Sequence, residues 1–166
     1  LGMQRMVKRH SIIKKLHAVE TLGSTTVICS DKTGTLTQNE MTAKKVFVSG
    51  KMYSISGEGY KPQGDFTIDD SKCEPLTDPD LNMLLTIGML CNDAKLEESG
   101  ADTEKTWRII GDPTEGCLVV GAAKAGLCSE ELNSTLPRLQ EIPFDSERKR
   151  MTTFHPHERG FIAYIK

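Results

Sequence analysis

Asp31-Lys32-Thr33-Gly34-Thr35-Leu36-Thr37 is the segment best equipped for chemistry. It follows Thr25–Ser30 (TTVICS), a β-branched, apolar run that reads as a fully buried strand of a parallel sheet. A carboxylate at the carboxyl end of such a strand lies where α/β sheets place ligands. Gly34 and its small neighbours let backbone N–H groups approach an anion, and Lys32 and the threonine hydroxyls add charge and donors. A carboxylate so placed can attack phosphorus and form an aspartyl phosphate. An ordinary strand-to-loop turn uses the same residue types. Two further segments carry charge in a pattern: Gly111–Gly116 (GDPTEG) and Pro143–Met151 (PFDSERKRM).

The other reactive residues point nowhere specific. Five cysteines, none spaced CxxC, fit reduced thiols better than zinc or a disulfide framework. His155-Pro156-His157 lacks a third metal ligand and reads as a surface turn.

The elements that must position these residues follow from pattern. Val46–Val48 and Met52–Ile55 flank Ser49-Gly50 as a hairpin, and Gly57 to Pro79 reads mostly as loop. Asp78-Pro79 supplies an N-cap and a proline at the first helical position, ahead of Leu81, Leu84, Leu85 and Gly88 on one face. Asp112-Pro113-Thr114-Glu115 repeats the device with an acid placed as in a capping box, and Gly126 suits the helix end. Ser129–Leu136 reads as a short helix ended by Pro137. Leu139–Phe144, Met151–His155 and Gly160–Lys166 read as strands.

At 166 residues the chain holds one domain, or one and part of another. With 21 basic and 23 acidic residues it is balanced, which argues against a nucleic-acid coat. No stretch reaches the ~18 apolar residues of a membrane helix. Bases gather in the first 17 residues, a pattern equally suited to a solvated tail, a nucleic-acid arm or a segment beside a membrane helix. Leu at position 1 reads as the start of a piece of something longer.

The heptad DKTGTLT resembles the phosphorylation motif of P-type (E1–E2) ion-pumping ATPases. Met6–Thr42 resembles the passage from the fourth membrane helix through the stalk into their phosphorylation domain. GDPTEG and PFDSERKRM resemble nucleotide-domain motifs of the type II, calcium-pump-like group. The resemblance implies the start of a haloacid-dehalogenase-like α/β phosphorylation domain. An α+β nucleotide-binding domain follows, an antiparallel sheet flanked by helices. Leu1–Leu36 would be stalk and first strand, Thr37–Lys45 a hinge, and Val46–Lys166 most of the nucleotide domain.

By resemblance Asp31 is the phosphorylated nucleophile and Lys32 holds the phosphoryl group. Thr35 contacts phosphate, and Mg²⁺ is met by Asp31 and the Thr33 carbonyl. Phosphatases of that superfamily usually carry a second Asp where Thr33 stands. Without it water is not activated, and the aspartyl phosphate lives longer. Glu115 and Asp112 fall at the ATP pocket, Phe144 stacks on adenine, Lys149 lines that pocket beside Arg148, and Lys166 matches a nucleotide-site lysine. Ser146 departs from the best-known calcium pumps, which carry Arg there. As the last residue, Lys166 is expected to be loose.

The implied whole is an integral membrane pump, with this segment on the cytosolic side. It would use Mg²⁺ and ATP, move a cation (Ca²⁺ weakly favoured) bound by membrane helices outside these residues, and engage no nucleic acid. The segment alone is expected to bind nucleotide weakly without turnover. A soluble phosphotransferase of the same superfamily, a non-catalytic nucleotide-binding module and a purely structural domain are the alternatives.

Overall fold

The computed structural model describes residues 2–12, 16–100 and 106–166. The chain divides into two compact units, Leu1–Gln38 and Asn39–Lys166.

The first unit holds α1 (Gly2–Val7) and α2 (Leu16–Gly23). The Ser24 and Thr25 hydroxyls donate to the Thr21 carbonyl at 2.9 and 3.2 Å and so cover the end of α2. Thr25–Ser30 is neither a strand nor buried: Val27 is 70% and Ile28 82% exposed. The segment therefore does not form the expected buried parallel strand. A parallel strand needs hydrogen-bonding neighbours, and among the described residues none pairs with this segment.

The second unit is built from local hairpins and helices. β1 (Lys45–Val48) and β2 (Lys51–Ile55) pair antiparallel around Ser49-Gly50. Both turn residues have positive φ, 49° and 77°, as a type I′ hairpin turn requires. β3 (Phe66–Ile68) and β4 (Ser71–Cys73) extend this sheet to four strands. Their turn is Asp69-Asp70, also positive at both residues, so the segment from Gly57 to Pro79 is less of a loop than expected.

α3 (Pro79–Leu90) follows. β5 (Lys95–Ser99) and β6 (Thr106–Ile110) form a separate hairpin that no sequence signal announced. α4 (Pro113–Lys124) ends in a Schellman arrangement. There Leu127 N–H reaches the Ala122 carbonyl and Gly126 N–H reaches Ala123, with Gly126 at φ +92°. α5 (Ser129–Thr135) leads into β7 (Gln140–Asp145), β8 (Arg150–His157) and β9 (Gly160–Ile165). Antiparallel sheets with helices are therefore present. They number three among the described residues, of four, two and three strands, rather than one. In each sheet the paired strands are neighbours in sequence, and two-residue turns set the register of β1–β2 and β3–β4.

The inward face of the four-stranded sheet (Tyr53, Ile55, Phe66) packs on Leu81, Leu85 and Met89 of α3 and Val119 and Ala122 of α4. Fully burying a side chain such as Leu81 or Phe66 contributes about 1.5–3 kcal/mol before entropy is counted. Leu90, Cys91, Met151 and Tyr164 make a second cluster, which attaches the three-stranded sheet to the end of α3.

His155 is not in a surface turn. It lies in β8, fully buried, with Nδ1 2.9 Å from the Leu136 carbonyl and Nε2 2.9 Å from the Thr153 hydroxyl. Pro156 continues the strand because it lies beyond the outermost β7–β8 register pair, Gln140↔Phe154.

The start of α3 is tied to the first hairpin. Asp78 caps the helix through the Asp80 and Leu81 amides, and accepts from Lys51 Nζ at 2.6 Å and the Tyr53 hydroxyl at 2.7 Å. Lys51, then Tyr53, hold its carboxyl well below the usual carboxylate range. A depressed folded pKa means stability that is full above the unfolded value, about 4, and lost progressively as pH falls below it. Asp78→Asn is expected to lower the melting temperature by several degrees at pH 7. It should also flatten the stability loss between pH 4 and 2, measured by circular dichroism. An unchanged acid profile would contradict this role. Among the described residues no helix is long and apolar enough to cross a membrane.

Candidate functional site

In the first unit, Asp31 opens a wide turn closed by the Thr37 N–H reaching back to the Lys32 carbonyl at 3.1 Å. Asp31 Oδ1 accepts from the Lys32 amide at 2.7 Å, and Gly34 N–H points at the Thr37 hydroxyl, 3.4 Å away. Gly34 sits at φ +74°, where a side chain would be strained. Lys32, Thr33 and Thr35 are exposed along with Asp31. The turn thus presents one carboxylate, one ammonium and several hydroxyls to solvent. The donor set is hard oxygen, which suits Mg²⁺ completed by water or phosphate oxygens.

In the second unit, the nucleotide candidates gather at one end of the three-stranded sheet. Asp112 caps α4, its carboxylate accepting from the Thr114 amide at 2.7 Å. Hydrogen bonds from Thr114, hydroxyl then amide, hold its carboxyl below the usual range, and Lys166 adds to the effect. Glu115 does not complete a capping box. Its carboxylate turns to Lys166 and accepts from Nζ at 2.6 Å, with both side chains about three-quarters buried.

Lys166 is not loose. Its N–H donates to the Met151 carbonyl at 3.1 Å, and its own carbonyl accepts from Met151 at 2.9 Å, continuing the β8–β9 ladder. Backbone pairing and the Glu115 ion pair together offset the freedom of a terminal residue.

Phe144 reaches the same end through a bulge. Ile142 pairs with Thr152 and Asp145 with Arg150, which leaves Pro143 and Phe144 together opposite Met151. Proline lacks the N–H a regular ladder needs, so Pro143 belongs at such a bulge. Met151 faces Phe144 on one side and Lys166 on the other. Two strand spacings, roughly 10 Å, therefore separate the latter two backbones. Phe144 is 61% exposed, so it is not a core residue.

Beyond it, Asp145 Oδ1 accepts from the Glu147 and Arg148 amides at 3.0 and 2.7 Å and folds Ser146–Lys149 into a four-residue loop. Lys149 takes φ +55°, and both Arg148 and Lys149 face solvent. Arg148 also donates to the Arg150 carbonyl at 3.1 Å.

Asn92, which belongs to none of the motifs, is 6% exposed and bonds into the first turn of α4. Its only sequence signal was its place two residues past the end of α3. A separate cleft of about 760 Å³, lined by Leu96, Trp107, Val119 and Leu127 among others, includes none of the nucleotide candidates.

Residues 80–166 match the family model described as "P-type ATPase, cytoplasmic domain N". The chain is similar to the "Cation-transporting ATPase pma1" of Synechocystis sp., 48% identical over all of this chain and 18% of that protein. It is 44% identical to the "Calcium-transporting ATPase" of Bacillus subtilis over 92% of this chain and 17% of the relative. It is 42% identical to the "Calcium-transporting ATPase type 2C member 1" of Bos taurus over all of this chain and 17% of the relative. The chain thus spans less than a fifth of the length of these relatives.

Proposed function

The chain belongs to the P-type ATPases, and from that premise we propose that it is the phosphorylation loop and nucleotide-binding unit of an ATP-driven cation pump. The boundaries proposed are stalk and first phosphorylation segment to Leu36, a hinge over Thr37–Lys45, and the nucleotide domain from Val46. The observation that carries the reading is the convergence of Phe144, Lys166 and Glu115 at one end of a sheet. Phe144 and Lys166 flank Met151 two strand spacings apart, and Glu115 pairs with Lys166; an exposed ring, an ammonium and a carboxylate so arranged suit a nucleotide.

Adenine stacks on Phe144, an arrangement worth about 1–3 kcal/mol by analogy with bases on aromatic platforms. Lys149 lines the adenine pocket beside Arg148, and Lys166 offers a charge-assisted donor to the nucleotide. Glu115, with Asp112 beside it, accepts from base or sugar N–H and O–H groups and holds Lys166 in place.

The chemical step belongs to Asp31. A carboxylate oxygen attacks the γ-phosphorus, a P–O bond forms on Asp31, and the bond to the bridging oxygen breaks so that ADP leaves. Lys32 and Thr35 hold the transferred group. Mg²⁺ would be held by the Asp31 carboxylate and the Thr33 carbonyl, and would supply charge neutralisation of the phosphoryl oxygens. Thr33 cannot activate water, so the acyl phosphate persists long enough to drive a conformational change.

The whole protein is proposed to sit in a membrane with this segment on the cytosolic side, binding its cargo elsewhere. Two of the similar pumps carry calcium in their names, which favours Ca²⁺ as that cargo. Calorimetric titration of ATP into the chain tests the nucleotide reading. One site with a Kd on the order of 0.1–1 mM is expected, and no saturable heat would refute it.

A further inference from the structure

We propose that Asn92 is a positioning residue for nucleotide binding, joining the first turn of α4 to the end of α3 and, through Arg138, to the strand that carries Phe144. The inference rests on the nucleotide reading above and adds a residue that touches no nucleotide.

Asn92 is buried and uses its whole amide. Nδ2 donates to the Gly88 carbonyl at 2.9 Å and to the Glu115 carbonyl at 3.0 Å, and Oδ1 accepts from the Ala94 amide at 2.9 Å. Reversing the amide would set Oδ1 against two carbonyls, so the network fixes one orientation. Glu115 belongs to the first turn of α4, and its side chain grips Lys166. Asn92 therefore fixes the backbone from which the Glu115 carboxylate extends.

The Asn92 carbonyl is itself held. Arg138 Nη2 donates to it and to the Leu90 carbonyl, while Nη1 reaches Asp93 at 2.8 Å and Glu141 at 2.7 Å. Glu141 lies in β7, opposite Thr153 and three residues before Phe144. One run of bonds, Glu141–Arg138–Asn92–Glu115–Lys166, thus spans both sides of the proposed nucleotide face. A plain helix end needs its last carbonyls covered. It does not need a side chain that reaches 23 residues along the sequence into another helix's first turn.

Asn92→Asp keeps the acceptor for Ala94 and replaces the donor with a carboxylate oxygen facing two carbonyls. Protonation restores one donor, so the defect should be relieved in acid. The experiment is fluorescence titration of a fluorescent ATP analogue into the full 166-residue chain, each variant compared with wild type at the same pH. Folding is checked by circular dichroism.

At pH 7.5 Asn92→Asp is expected to raise Kd at least tenfold, and at pH 5.5 to come within about threefold of wild type. Asn92→Ser, which is too short to reach Glu115, should also lose tenfold but without recovery, and it serves if the Asp variant does not fold. Asp78→Asn, which loosens the opposite end of α3, should leave Kd unchanged. Binding within twofold of wild type in both Asn92 variants would overturn the proposal, as would an equal loss in Asp78→Asn or a loss in Asn92→Asp that acid does not relieve. If wild type binds and the Asn92 variants bind equally well, only this inference falls. If wild type itself does not bind, the nucleotide reading falls with it.

Discussion

Replacing Asp31 with Asn should abolish phosphoenzyme formation in the whole pump and cut ATP hydrolysis by roughly 10⁶, the order of loss when a protease's serine nucleophile is removed. An amide is nearly the same size as the carboxylate but is a poor nucleophile toward phosphorus. The turn itself should survive, since an Asn side-chain oxygen can still accept from the Lys32 amide as Asp31 Oδ1 does at 2.7 Å. The nucleotide candidates all lie within Asn39–Lys166, whereas Asp31 lies within Leu1–Gln38. Nucleotide affinity of the chain should therefore stay within twofold. Incorporation of labelled γ-phosphate into acid-precipitated protein measures the first effect. Retained labelling would remove Asp31 from the chemistry.

Phe144→Ala should weaken nucleotide binding by about 1–3 kcal/mol, or roughly 5- to 150-fold, through lost stacking. Stability should hardly change. The ring is 61% exposed, and the bulge is set by Pro143 and the Asp145↔Arg150 pair rather than by Phe144 packing. The pairing of a large affinity loss with an unchanged melting temperature separates this from a core defect. A fall in melting temperature matching the affinity loss would mean that Phe144 packs the sheet instead of meeting a ligand.

Much of the second unit was legible because its signals are local. Asp78-Pro79 and Asp112-Pro113 cap helices that begin at those prolines, and Ser49-Gly50 turns the first hairpin. What escaped depends on contacts distant in sequence. The Asp69-Asp70 hairpin lacks a glycine, and its strands are three residues each, too short for alternation to register. Glu115 has capping-box spacing, yet a lysine 51 residues away takes its carboxylate. His155-Pro156-His157 looked like a turn because proline and histidine favour surfaces, but β8 carries His155 into the core.

The first unit marks the opposite limit. TTVICS has the composition of a buried strand, yet composition supplies no neighbours, and the segment lies exposed. The nucleotide candidates were readable as motifs. The buried Asn92 amide that bonds to the backbone of one of them, Glu115, was not, because an Asn after a helix looks like any other helix end.

The most direct test of the central claim is a backbone and side-chain NMR map of the 166-residue chain titrated with ATP. Saturable shifts are expected at Phe144, Lys149, Glu115 and Lys166, with ring-current changes on the Phe144 protons and no comparable shifts in the cleft around Trp107. Saturable shifts centred on Trp107 and Leu127 with Phe144 silent, or no shifts at all, would contradict it.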